Sequence, residues 1–241
     1  MWMSMRAISV NASSPDLEER YWEIFPSRSL RFWPSFMRKA RDLEAFLEKT
    51  TPVLVNTRMT GLGSFVADIN FLSPHVVVEW QGEMWCISEE GRMWNLAERG
   101  FGFRDLEIPT RPVWRMQASS LIGESDRALP SGVFPSIFST EVIDGFLKGF
   151  SNASWFDGVE EVALSRRAGD DLFELRYVRD GKNFTILIQK SKHDLEELSL
   201  ALEYILNRLR LEGGNHLIDA TYTDKVVVKS LPAGAREGSS R

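Results

Sequence analysis

Leu217-Ile-Asp-Ala-Thr-Tyr-Thr-Asp-Lys-Val-Val-Val-Lys-Ser-Leu231 reads as a terminal strand or hairpin. It follows directly on the most regular helical pattern in the chain, and only a polar tail comes after it. A strand that comes last, with nothing after it to cover it, is a candidate sheet edge. An open edge accepts a strand from another protein. Val226, Val227 and Val228 are three β-branched residues in a row, so at least one side chain points to the opposite face from its neighbours. Two readings stand. One is an interior strand buried on both faces; the other is an edge flanked by Lys225 and Lys229, charges that discourage indiscriminate pairing.

Working back from that segment, Gly213-Gly214 ends a helix that buries Leu195, Leu198, Leu202, Ile205, Leu206 and Leu209. Ser191 to Asp194 has the form of its capping box, with Asp in place of the usual Glu. Three strands precede it: Val159 to Arg166, Leu172 to Val178 and Asn183 to Gln189. Asp180-Gly181 joins the last two as a hairpin turn, because both positions tolerate positive φ. Phe138 to Phe150 reads as a short helix capped by Ser139, with Val142 and Phe146 inward. From Glu98 to Pro130 the chain is irregular, with a strand expected at Pro112 to Met116.

The amino-terminal third has a different order. Arg6 to Val10 is a short strand, and Ser13-Ser14-Pro15-Asp16 starts a helix that stops at Phe25-Pro26. A second helix from Pro34-Ser35 carries Phe36, Ala40, Leu43, Phe46 and Leu47 on one face. Pro52 stops it. Val53 to Met59 then alternates as a strand, Gly61-Leu-Gly63 turns, and Phe65 to Phe71 returns. This is β-α-α-β-β. At Pro74 the pattern changes to short strands and turns: Val76 to Trp80, a Gln81-Gly82 turn, Met84 to Ser88, and Arg92 to Trp94. The fold class expected is α+β, with domains at 5–72 and 73–231 and a disordered tail at 232–241.

Composition excludes several functions. A formal net charge of −5 argues against a general nucleic-acid binder, which needs a basic surface. The single cysteine, Cys86, can neither close an internal disulfide nor build a cysteine zinc site, and its apolar surroundings mark a buried structural thiol. No run reaches the ~18 to 20 apolar residues of a membrane helix. His75, His193 and His216 lie far apart at element boundaries and read as solvated loop residues. No nucleophile elbow, Walker loop or dinucleotide fingerprint is present. Adjacent acids such as Glu89-Glu90 and Asp170-Asp171 read as solvated faces. Of eight tryptophans, most alternate with apolar partners and belong to a core; Trp2 and Trp33 are the two placed to meet a membrane surface. No catalytic residue, metal ligand or cofactor site is assigned.

The order of these elements resembles the extracytoplasmic part of the FtsQ/DivIB family of bacterial cell-division proteins. Arg6 to Phe71 is similar to the family's POTRA domain, with Leu43-Glu44, then Thr51-Pro52, then the strand at Val53. Pro74 matches the proline that opens the β domain, a mixed sheet with packed helices. Ser88-Glu-Glu-Gly-Arg-Met-Trp94 is similar to an acid-x-x-Gly-x-apolar turn. Leu217-Ile-Asp-Ala-Thr-Tyr222 is close to the family's Ile/Val-Asp-Leu-Arg-Tyr motif, with Ala220 and Thr221 in place of leucine and arginine. The Glu-Arg pair before the β-domain proline is replaced by Phe71-Leu72. The resemblance implies a non-enzymatic divisome scaffold without cofactors, anchored by a membrane helix upstream of residue 1. It would lie on the extracytoplasmic face of the inner membrane, at the septum. Partners would be FtsB/DivIC-like and FtsL-like proteins, bound by strand addition. Tyr222 would be the aromatic anchor, and Lys225, Val226, Val227, Val228, Lys229 and Ser230 the pairing strand. The alternatives are a POTRA-containing envelope assembly or secretion component and, more distantly, a carbohydrate-active enzyme.

Overall fold

The computed structural model describes residues 7–25, 33–97, 108–109, 112–116, 131–167, 169–208 and 214–231, with the backbone alone for 33–34. Expectations for Trp2, the Trp33 side chain, Leu209, most of 98–130 and the tail at 232–241 lie outside the described residues. In chain order the elements are β1 (Ala7–Ala12), α1 (Pro15–Ile24), α2 (Trp33–Thr50), β2 (Val53–Gly61), β3 (Ser64–Phe71), β4 (Pro74–Trp80), β5 (Glu83–Ser88), β6 (Arg92–Asn95) and β7 (Val113–Met116). They continue with β8 (Phe134–Pro135), α3 (Thr140–Phe150), β9 (Val159–Arg167), β10 (Asp170–Arg179), β11 (Lys182–Gln189), α4 (Leu195–Arg208), β12 (Asn215–Ala220) and β13 (Val227–Leu231). The chain is mixed α+β. It divides into two units: residues 1–75, 83–108 and 127–136, and residues 76–82, 109–126 and 137–241.

In the first unit, Ser14 Oγ accepts from Leu17 N and Pro15 takes the first helical position, so α1 starts where capping chemistry puts it. The three-stranded sheet has the order β1-β3-β2, with β1 parallel and β2 antiparallel to the central β3. Phe65, Ala67 and Ile69 alternate inward along β3. They meet Phe36, Ala40, Leu43 and Leu47, which stack at helical spacing on α2. Phe46, expected on that stripe, is instead exposed, since it lies off the 36-40-43-47 line. The strands β5, β6 and β8 run antiparallel in that order. β8 is only two residues long and carries no sequence pattern of its own.

In the second unit, seven strands lie in the order β13-β12-β11-β10-β9-β7-β4. The pairs β4–β7, β7–β9 and β11–β12 are parallel, and the remaining pairs are antiparallel. Asp180 (φ 52°) and Gly181 (φ 72°) turn the β10–β11 hairpin, both at positive φ as their residue types allow. One sheet face is apolar: Trp114, Val162, Phe173, Leu175, Ile186, Ile188, Ile218 and Ala220 are buried. Phe146 of α3 stacks on Phe173 at 4.2 Å between ring centroids and meets Trp114 edge-on at 5.6 Å. Ser139 caps α3 through Val142 N, but the inward residues are Ile143, Phe146 and Phe150, with Val142 half-buried. α4 is capped by Asp194, whose Oδ1 accepts from Glu196 N (2.9 Å) and Glu197 N (3.3 Å). Ser191 is not the cap. It lies in a 3₁₀ turn and hydrogen-bonds Asp170 instead.

The opposite sheet face is charged, and its charges pair off. Glu79, Arg115, Glu161 and Arg176 form a cross-strand ladder with ion pairs of 2.8, 3.1 and 3.4 Å. Each acid there has a basic partner on the next strand, which is how a solvated face is built rather than a paired-carboxylate site.

Candidate functional site

β13 has β12 as its one neighbour among the described strands, so among the described residues the terminal segment forms an edge and not an interior strand. The segment folds as a hairpin. Asn215 faces Leu231, Leu217 faces Lys229, and Asp219 faces Val227.

Which backbone groups of β13 face outward follows from parity. Asn183 N–H donates to the Gly214 carbonyl, so in β12 the even residues bond β11 and the odd residues face β13. Residues 227, 229 and 231 therefore bond back to β12, and Val228 and Ser230 direct their amides and carbonyls to the free edge. Among the described residues, no hydrogen bond reaches those two amides. An edge of this kind accepts another strand.

The corner that leads into β13 is firmly built. Asp219 Oδ1 accepts from the Thr221 amide (3.1 Å) and the Thr221 hydroxyl (2.7 Å), a local turn that ends β12. His193 Nε2 donates to the Ala220 carbonyl at 2.8 Å. Tyr222 then projects outward, 45% exposed, with Lys225 Nζ 5.1 Å from its ring centroid. Val226, Val227 and Val228 are half-buried, and Lys229 and Ser230 are exposed. The fold thus brings together all seven residues singled out from the sequence, on one corner and one strand.

Two other edges belong to the three-stranded sheet. In β2 two outward amides are already used: Thr57 N–H donates to Glu44 Oε1 (2.7 Å) and Val55 N–H to Glu48 Oε1 (3.1 Å). Arg92 holds the second carboxylate through Glu48 Oε2 at 3.2 Å. This edge is covered by side chains of its own unit. In β1, Ala7 N–H donates to Gly63, so Ile8 and Val10 face outward and that edge has no such cover among the described residues.

The histidines correct the sequence reading. His216 is fully buried within β12, His193 is half-buried and hydrogen-bonded, and His75 is half-buried in β4. His216 is visible in hindsight through its phase, for it alternates with Ile218 and Ala220. The turn-forming role of Asp219 and Thr221 has no distinctive sequence signal, because it rests on a spacing that many surface pairs share. Cys86 is fully buried, and burial pushes its thiol up to about 12. Trp80, Trp85, Trp94, Trp114 and Trp155 are core residues, whereas Trp22 is 38% exposed. No His, Cys, Asp and Glu cluster suited to a metal occurs among the described residues, and no helix there is long and apolar enough to cross a membrane. Compared with models of known protein families and with curated proteins, the chain matches none.

Proposed function

We propose that this chain is a non-enzymatic scaffold that binds a partner by strand addition at β13, and that it is a divisome component of the FtsQ/DivIB kind. The observation that carries the first part is the pair of outward amides at Val228 and Ser230, beside the Tyr222–Lys225 corner. Support for the second part is the element order β-α-α-β-β, the order the resemblance implies for a POTRA domain, which here closes on one three-stranded sheet. The terminal Ile218-Asp219 to Tyr222 motif, placed directly before an edge strand, adds to it. In this reading the partners are FtsB/DivIC-like and FtsL-like proteins, and the place of action is the extracytoplasmic face of the inner membrane at the septum.

Mechanistically, two residues of free edge supply few main-chain bonds, so the interface sits at the small end of interface sizes. The Tyr222 ring would add apolar contact area at low entropic cost. Membrane co-localisation of both proteins would raise the effective concentration.

The test is a calorimetric titration of the chain with the FtsB/DivIC-like ectodomain of the same genome, using two proline variants. Val228→Pro removes an outward N–H, so it abolishes binding while leaving the β12–β13 bonds intact. Val227→Pro removes a bond to β12 and is expected to lower stability as well. A folded Val228→Pro chain that binds like the parent contradicts strand addition at this edge. A chain that binds no division ectodomain at high micromolar concentration contradicts the divisome assignment.

A further inference from the structure

We infer that His216 is a proton-sensitive latch beneath the β13 edge: neutral it holds the last strand down, and charged it releases it. The inference rests on the reading of β13 as the docking edge and names a way in which that edge is regulated.

The geometry is specific to this position. His216 is 0% exposed, although it lies on the second strand from the sheet edge. It faces Ser230 across the hairpin, at one of the pairs whose backbone groups do not bond each other, where side chains approach most closely. Ser230 Oγ lies 3.4 Å from His216 Nδ1. On its other side the imidazole lies against Phe184, 5.3 Å between centroids and tilted by 34°. Its Nε2 is buried and has no hydrogen-bond partner among the described residues.

A neutral imidazole tolerates this site, since Nε2 can stay a bare acceptor. A protonated one does not, because Nε2–H then becomes a buried donor on a cation with no acceptor among the described residues. Among the described residues, the groups that face it do not compensate. From β11 the charged neighbour is Lys182, which repels a second positive charge, and the facing ring is Phe184. From β13 the facing group is the Ser230 hydroxyl. Asp219 and Lys229 occupy odd positions and point to the opposite sheet face. The buried residues of α4 are Leu198, Ser199, Leu202 and Leu206, with no acid among them. Burial, and then Lys182, accordingly hold the imidazole below the ordinary histidine value.

The sign follows. A base whose proton affinity is depressed by folding contributes stability that is fully present above its free value of about 6.5 and is lost as pH falls below it. The opened state takes up the proton, so opening gains at most about tenfold per pH unit in that window. What opens is the strand held from one side only, β13. Acidification therefore frees the docking strand before the rest of its sheet.

Amide hydrogen exchange of the whole chain, followed between pH 7.5 and 5.5, tests this without any partner. Protection at Val227, Lys229 and Leu231 is expected to fall several-fold across that range, while protection in β10 and β11 holds. In His216→Phe, which keeps a ring against Phe184, the loss is expected to vanish; His216→Gln serves if the Phe variant does not fold. Unchanged protection in the parent overturns the latch, and so does a loss that persists in either variant, because it would then come from another group such as His193. Since no partner enters the experiment, its failure leaves the docking reading standing. A failed titration with the division ectodomain likewise leaves the latch standing.

Discussion

Trp114 shows what a single residue contributes to this fold. It is fully buried between Phe146 and Phe173, yet its indole N–H has no partner among the described residues. Trp114→Ala is expected to cost about 3–5 kcal/mol, because the cavity cannot collapse around the two rigid rings of Phe146 and Phe173. Trp114→Phe should cost much less, since it removes a buried unpaired donor along with the lost volume. Chemical denaturation of the two variants checks the ordering, and equal losses would contradict it. At Cys86, burial and a thiol pushed up to about 12 leave almost no thiolate at neutral pH. Labelling by a maleimide is therefore expected to need opening of the first unit, and rapid labelling of the native chain would contradict the burial. Both residues were legible in the sequence as core, Trp114 from its apolar alternation and Cys86 from its apolar surroundings. The orphaned indole donor was not, because partner geometry is a property of the packed state.

At the scale of elements, the two guarded and unguarded edges differ by two side chains. Glu44 and Glu48, four apart on α2, reach across to the amides of Thr57 and Val55. Glu44→Ala with Glu48→Ala is expected to cost about 1–3 kcal/mol in total, as charge-assisted bonds of this kind do. It should also speed hydrogen exchange at Val55 and Thr57. The Gln variants, whose carbonyls still accept, should largely restore both. Sedimentation at rising concentration would show whether the uncovered edge now self-associates. A variant with unchanged exchange at these amides contradicts the guarding role. The hairpin turn at Asp180-Gly181 and the cap at Ser139 were readable directly, since they are local chemistry. The edge placement of β13 was not readable, because nothing within Val226 to Ser230 tells one neighbour from two. Nor was β8, whose two residues pair with β6 across a long sequence separation.

At the scale of the molecule, the polypeptide changes character at Pro74, whereas the first unit also takes in residues 83–108 and 127–136. The links are long-range: Arg92 pairs with Glu48, and the Val133 amide donates to the Lys49 carbonyl at 2.8 Å. Such contacts join segments that no window of sequence contains together. What sequence order does convey is the succession of elements, and that succession carries the family resemblance. We propose that this chain works through a free strand edge at β13. Amide hydrogen exchange of the chain, alone and saturated with the FtsB/DivIC-like ectodomain, tests it most directly. New protection is expected at Val228 and Ser230, the amides that face outward, with β1 and β2 unchanged. Protection gained at Ile8 and Val10 instead, with none along β13, would contradict it.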